Sequence, residues 1–394
     1  MNRVVGKKDS CEDSVIKNYS LKTASWFFLF LILIFFSGCI TEFIPETSAD
    51  QDLIVVGGII TDQPGPKTIT ISTSLPLGGR SAAKPITGCK VTITDDLGTI
   101  FTLDESTEGI YTTSSLFQTG RSYMLHIKTG EAHHNLSYES APMLLKPVPP
   151  IDSLYYEKEV MSYDNTGAVT GEGIQVFLST HDPENKCRLY RWEYVETWEI
   201  RLPYYIVQNH ICWVTQNSDL INIKNTSAVS QDRVDRQLIN FVTNESDRLN
   251  VKYSILVNQY SLNDDEYAYW EKVKNTVEEV GSLYDIVPSS IPSNIKCIER
   301  PADNVLGYFS VSSVKSKRIF THDRFRGMPN KYTDCENVTV GFNDYIEGLD
   351  FSRWVIIEHP EPPPGYKVLT YFKGCADCTV RGTTQVPDFW IEEK

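Results

Sequence analysis

Few residues in this chain have the types and spacing that chemistry requires. Cys375-Ala-Asp-Cys378 has the spacing of a dithiol that exchanges disulfides when it opens a helix, where the dipole lowers one thiol's pKa, or of half a zinc site. It follows the strand-like Val368-Leu-Thr-Tyr-Phe372 and Gly374, no helix is predicted after it, and no second C-x-x-C completes a ligand set. Cys375 and Cys378 are therefore candidates for a structural disulfide, either within the pair or to a partner such as Cys335. His133-His134 is the only adjacent pair among the seven histidines. Neighbours on a strand point to opposite faces and cannot both ligate one ion, so a solvated loop accounts for them better.

Tyr190-Arg-Trp-Glu-Tyr-Val-Glu-Thr-Trp198 puts Tyr190, Trp192, Tyr194, Glu196 and Trp198 on one face of a regular strand. Such a face is either a platform for sugars or peptides or ordinary cross-strand core packing, and packing is the preferred reading. Glu196 among the rings needs a cationic partner, for which Arg201, Arg318, Arg324 and Arg326 are candidates. Nucleophile elbows, H-E-x-x-H, phosphate-cradling glycine loops and EF-type calcium loops are absent from the sequence. No catalytic residue, metal site or cofactor is assigned.

The remaining reactive residue is Cys39. Trp26–Phe36 is an apolar run of eleven residues, preceded by Lys22 and a leader holding Lys7, Lys8 and Lys17. A spanning helix needs about 20 apolar residues and a signal-peptide core roughly 7–15, so the run reads as an export signal. Phe36-Ser37-Gly38-Cys39 resembles a bacterial lipobox, with two small residues before the Cys that receives lipid. Removing residues 1–38, with five basic and three acidic residues, leaves 356 residues with 32 Lys+Arg against 48 Asp+Glu, so the net charge moves from -14 to -16. Acyl chains on Cys39 supply the attachment that this acidity cannot, at about 0.8 kcal/mol per buried CH₂. A negative balance also argues against nucleic acid, whose binders neutralise phosphate with Lys and Arg. Without Cys11 and Cys39 seven cysteines remain, an odd number, so at least one thiol is free or pairs outside the chain.

The elements that must position these residues are mostly strands. The length prior gives two or three domains, and 41% hydrophobic residues suffice for sizeable cores. Leu53–Ile60, Thr68–Thr73, Lys90–Thr94, Thr99–Leu103 and Tyr123–Lys128 alternate with period two between turn signals such as Asp62-Gln-Pro-Gly-Pro66, the pattern of an antiparallel sandwich. Pro147-Val-Pro-Pro150 stiffens the chain into an extended linker. Beyond it lie further strand-like segments at Gly173–Thr180, Arg188–Ile200, Asn250–Leu262, Val305–Val314, Trp354–Glu358 and Tyr366–Phe372. Asn217–Asn250 is polar and reads as a surface excursion. Pro360-Glu-Pro-Pro-Pro-Gly365 reads as a rigid surface loop. Tyr267, Trp270, Val273, Val277 and Val280 recur at helical spacing, with Ser261 and Asp264 resembling a capping box and Gly281 suited to the C-terminal cap.

The expected architecture is therefore mainly β. Residues 1–38 are a signal peptide, 39–50 a lipidated tether, and 51–146 an Ig-like or prealbumin-like antiparallel β-sandwich. Residues 147–152 are a Pro-rich linker, and 153–394 a larger β-rich domain with one amphipathic helix near 263–280.

Taken in order, Leu53-Ile-Val-Val-Gly-Gly-Ile-Ile-Thr-Asp62 with Pro64-Gly-Pro66, Pro85–Val91, Tyr190–Glu199, the Tyr269-Trp-Glu-Lys helix, Ile286–Ser289, Asn294-Ile295, Leu306–Ser310, Lys317–Phe320, Cys375–Gly382 and Pro387-Asp-Phe-Trp390 resemble a lipoprotein family of Bacteroidota known as domain of unknown function 4249. The resemblance makes Cys89, where a small apolar residue is expected, the candidate free thiol. It implies an outer-membrane lipoprotein, periplasmic or surface-facing, encoded beside a TonB-dependent transporter. The leading expectation is a non-enzymatic, lipid-anchored accessory protein that partners such a transporter in capturing a nutrient, peptide or glycan. An envelope assembly or scaffolding lipoprotein without a small ligand is the alternative. A hydrolase with a diffuse site comes third, and a pocket joining Glu196, an Arg and a His would favour it.

Overall fold

The computed structural model describes residues 53–74, 83–203, 209–279, 291–329, 332, 335, 337–340, 355–358, 367–370 and 373–390. The signal-like run, the lipobox-like Phe36–Cys39, the expected tether, Gly281 and the Pro360–Gly365 segment lie outside them. The fold is mainly β.

The first strands follow the alternation of the sequence: β1 (Ile54–Thr61), β2 (Lys67–Thr73), β3 (Lys90–Asp95), β4 (Ile100–Thr107), β5 (Ile110–Thr113), β6 (Ser122–Lys128), β7 (Ser137–Ser140) and β8 (Met143–Leu144). Period-two alternation sends Val56, Ile60, Ile69, Ile71, Val91, Ile93, Leu125 and Ile127 inward, where they form one apolar core. After it come β9 (Ile151–Tyr163), β10 (Val169–Asp182), β11 (Leu189–Arg201), β12 (Ile211–Asn217), β13 (Asn222–Asn225), β14 (Asp232–Val242) and β15 (Tyr253–Ser261). The chain continues with helix α1 (Asp264–Glu279), β16 (Ile295–Cys297), β17 (Leu306–Ser312) and β18 (Val314–Phe320). Short strands β19 (Asn337–Val340), β20 (Val355–Glu358) and β21 (Lys367–Thr370) and a one-turn helix α2 (Lys373–Ala376) follow.

The first core is wrapped by one nearly closed, barrel-like sheet of order β16-β7-β6-β3-β4-β5-β2-β1-β17, with β8 beside β6. Two of its strands arrive from beyond residue 294, so the segment 51–146 supplies most of this sheet but not all of it. β17 lies parallel to β1, with Val55 opposite Leu306. Glycines permit this packing on both flanks of β1. A Cβ on Gly58 would come within 2.5 Å of the Thr68 carbonyl, and one on Gly307, whose φ is +86°, within 2.1 Å of the Val56 carbonyl.

The second core lies between two antiparallel sheets, β14-β10-β9 and β12-β11-β15-β18, with β13 also on β11. The Pro147–Pro150 stretch is pinned to it. Val148 is buried there, and the carbonyls of Pro149 and Pro150 accept from Gln259 (2.8 Å) and Thr180 (3.0 Å). β17 and β18 are one continuous run that leaves the first sheet and enters the second at Ser313. Asp62, from the turn after β1, fixes that crossing by accepting the Val314 N–H at 3.0 Å and the Ser313 hydroxyl.

Two local expectations are corrected. Asn217–Asn250 is not only a surface excursion, since β14 runs through it and buries Val234, Ile239 and Val242 in the second core. Bulges that shift the register, one beside Arg236 at φ +51°, break the period of two that would have revealed the strand. Helix α1 forms where its periodicity placed it, but its buried side is turned. Glu266 is inside with Tyr269 and Trp270 packed beside it, whereas Val277 is 63% exposed. Ser261 ends β15 and donates its hydroxyl to the Lys146 carbonyl (2.7 Å) rather than capping the helix.

Candidate functional site

β11 is the strand on which the sequence placed the aromatic strip, and its two faces do different things. Tyr190, Trp192, Tyr194 and Trp198 all point into the second core. Tyr190 and Trp192 stack at 5.6 Å between centroids, and the Trp192 indole donates to Gln259 (2.9 Å). Tyr190 donates to the buried Asp232, which also accepts from Thr226 (2.6 Å). The strip is core and not an exposed platform.

Glu196, in the same face, is 2% exposed. Its partner is none of Arg201, Arg318, Arg324 and Arg326 but Arg248, whose Nη1 donates to both carboxylate oxygens at 3.0 and 2.8 Å. Tyr253 and Asn240 add donors at 2.7 and 3.0 Å, and the Arg248 guanidinium stands 5.5 Å from the Trp198 ring centroid. The cation compensates the buried carboxylate and four hydrogen bonds satisfy it, so its chemistry is that of a structural anion. Burial and the adjoining charge hold the Tyr253 phenol well above its ordinary range. No histidine joins Glu196 among the described residues. Arg248 was not foreseeable by spacing, because it sits on a short 3-10 turn (Asp247–Leu249) that folds back over β11.

The opposite face of β11 carries Arg191, Glu193, Val195, Thr197 and Glu199. Register places the first four beside Tyr260, Asn258, Leu256 and Ser254 of β15, and those beside Val314, Ser316, Arg318 and Phe320 of β18. Helix α1 roofs one end of this outer face. Trp270 lies 3.7 Å from the Arg191 guanidinium, which also pairs with Glu193, and Tyr269 packs on Tyr308 at 4.6 Å. Beneath the roof Glu266 is fully buried with neither carboxylate oxygen in a hydrogen bond of ordinary geometry. Burial raises its pKa to about 7, against the opposing pull of Ser310, Arg191 and Trp270.

The chain's C-terminal stretch roofs the other end. Trp390 meets Trp213 and Phe320 edge-on at 6.3 and 5.5 Å, and Phe389 stacks 3.4 Å from the Arg318 guanidinium. Thr383 pairs with Trp213 through two backbone hydrogen bonds (2.8 and 3.0 Å) and so covers the free edge of β12. Between the two roofs the face carries the exposed Thr215 and Ser316 and the half-buried Asn258 and Arg318, with Thr197 and Ser254 fully buried among them; Ser316 donates to Asn258 (2.7 Å) and Arg318 to Ser254 (3.0 Å).

Both cysteines of Cys375-Ala-Asp-Cys378 are in disulfides, each to a different partner: Cys335–Cys375 and Cys212–Cys378. The first partner was among those considered, and Cys212, 166 residues away, was not. Where no helix was predicted, α2 and a 3-10 turn (Cys378–Val380) hold the two sulfurs apart toward separate partners. Arg381 clamps the same stretch through a bidentate pair with Asp247 at 2.7 and 2.9 Å. Cys89 is free, as the resemblance implied, together with the buried Cys187 and Cys297. Burial pushes the Cys187 thiol up to about 12, which makes it inert. His133 lies in a short 3-10 turn with His134 after it at φ +63°. No group of three or more His, Cys, Asp and Glu side chains able to hold a metal occurs among the described residues.

No curated protein matches this chain. Residues 40–318 match the family model described as Domain of unknown function (DUF4249). The match spans most of the chain, including β11, β15 and most of β18, and the chain belongs to that family.

Proposed function

We propose that this protein is a non-enzymatic, lipid-anchored accessory protein of the outer membrane that partners a TonB-dependent transporter in capturing or taking up a substrate. The observation that carries the binding part is the outer face of β11, β15 and β18: a rigid sheet face that carries the half-buried Asn258 and Arg318 and the exposed Ser316, bounded by a roof at each end. Sites built on sheet strands hold their groups in fixed relative positions, which suits recognition. Residues with acid–base potential on the inner face are spent in structure, Glu196 on Arg248 and Asp232 on Tyr190.

Export to an oxidising compartment is supported by the two disulfides together with the signal-like run ahead of Cys39. The Bacteroidota lipoprotein assignment and the Ig-like or prealbumin-like kinship of the first sheet belong to the same reading.

The test is affinity purification of the tagged full chain from detergent-solubilised outer membrane. The expected result is reproducible recovery of a TonB-dependent transporter, and its repeated absence sinks the proposal.

A further inference from the structure

Other carboxylates drawn into the fold are compensated, Glu196 by Arg248, Asp247 by Arg381 and Asp232 by the Tyr190 and Thr226 hydroxyls. Glu266 is not. It is 0% exposed, and among the described residues neither of its oxygens is in a hydrogen bond of ordinary geometry. Arg191 is the cation whose field reaches it, yet that guanidinium lies under Trp270 at 3.7 Å and pairs with Glu193. A carboxylate ion in such a place is costly, so the docked helix requires the neutral acid. Helix α1 is held by this same end. Tyr269 lies on Tyr308 and Trp270 on Arg191, while Glu271, Lys272, Asn275 and Val277 are exposed. A helix attached along so short a stretch can leave without unfolding the sheets beneath it.

From this arrangement we propose that α1 is a proton-controlled clasp, docked while Glu266 is neutral and released from Arg191 and Tyr308 once Glu266 ionises. The surrounding groups leave that control to Glu266. β11 contributes Arg191 and Glu193, β17 contributes Tyr308 and Ser310, and Tyr260 of β15 flanks Arg191. On α1 itself stand Asp265, Tyr269 and the exposed Asp264, which pairs with Lys146, and β13 beside the helix carries the exposed Lys224. Burial pushes the phenols of Tyr260, Tyr269 and Tyr308 upward, so they stay neutral where Glu266, raised by burial to about 7, changes charge. Because α1 bounds the proposed binding face, its release opens that face at one end. This use of the clasp rests on the binding role, whereas the docking itself is a property of the chain alone.

Amide hydrogen exchange of the full chain in detergent, followed between about pH 5 and 8.5 and corrected for the base catalysis of exchange itself, tests this. Protection of the α1 amides is expected to fall about tenfold per pH unit up to about pH 7, the slope for one proton bound on closing, and to level off above it. In sub-denaturing urea the α1 amides should depend on urea less steeply than those of β10 and β11, since local release exposes less surface than unfolding. Glu266→Gln should remove the pH slope, and so should Glu266→Leu, which needs no polar partner and guards against a Gln variant that fails to fold. Protection of α1 that does not change with pH in the wild-type chain overturns the proposal. So does a slope that persists in both variants, or a urea dependence equal to that of β10 and β11. Transporter recovery, read separately, tells whether the binding role stands.

Discussion

The side-chain amide of Asn294 stands where a strand peptide would stand beside Phe309. Its Nδ2 donates to the Phe309 carbonyl at 2.8 Å and its Oδ1 accepts from the Phe309 N–H at 3.0 Å, while its own carbonyl accepts from the Ala141 N–H at 2.7 Å. One side chain thereby joins β17 to the β7–β16 edge and closes the seam of the first sheet. Phe309 is fully buried, so its peptide groups have little water to fall back on.

Replacing Asn294 by Ala therefore leaves a buried N–H and C=O without partners. A loss of about 2 to 4 kcal/mol is expected in urea unfolding, with faster amide exchange concentrated in β17. Asn294→Asp keeps the acceptor but not the donor and should fall between.

Arg248→Met strips the charge partner from Glu196 and is expected to cost about 3 kcal/mol or more. Glu196→Gln together with Arg248→Met should recover part of that loss, because the uncompensated anion is gone. A double-mutant cycle measured by chemical denaturation reads the coupling directly. Near-zero coupling would show that the pair is incidental.

Glu266 gives stability a pH slope of known sign. Its carboxyl titrates near 4.5 when unfolded and near 7 when folded, so the native state binds the proton more tightly. The stabilisation is full below about pH 4.5 and falls as pH rises toward 7. Above that it is lost, a change of about 3 kcal/mol over the window at 1.36 kcal/mol per pH unit. Glu266→Gln should flatten this part of the stability profile measured by denaturation between pH 4.5 and 8, and an unchanged slope would assign the titration elsewhere.

Cys378→Ser opens the larger of the two disulfide loops, spanning 166 residues. Loop-entropy reasoning gives a loss of about 2 to 5 kcal/mol, visible as a lower melting temperature. Tryptophan fluorescence should shift to the red as Trp213 and Trp390 lose their cover. Peptide mapping under non-reducing conditions checks the pairing first, since a Cys375–Cys378 link would contradict it.

Cys39→Ser is expected to abolish incorporation of labelled palmitate and to move the chain from the membrane fraction to the soluble one. Retention in the membrane would place the anchor elsewhere.

Much of the first sheet was legible because β1, β2, β3 and β6 alternate cleanly and are bounded by Gly, Pro and Asp turns. β14 was not, because its bulges reset the alternation. The addition of β16 and β17 was hidden as well, since a strand's apolar pattern says that it pairs without saying with whom. The aromatic strip of β11 was legible as a face, and the ambiguity between platform and core was resolved only when β9, β10 and β14 supplied the opposing sheet. Its reverse face drew no notice because Arg191, Glu193 and Thr197 look like ordinary solvent-facing residues until α1 and the Trp390 stretch roof both ends. The partners of Glu196 and Cys378 arise from chain reversals with no sequence period.

The pairing of β1 with β17 bears on how the protein reaches its native form. A chain that emerges N-terminus first delivers Val55 long before Leu306, and the sulfur of Cys212 long before that of Cys378. Neither the first sheet nor the second roof can be finished until nearly the whole chain is available. Completion of the fold is then a late, whole-chain event, and the slow closure of such distant contacts leaves strand edges exposed in the meantime.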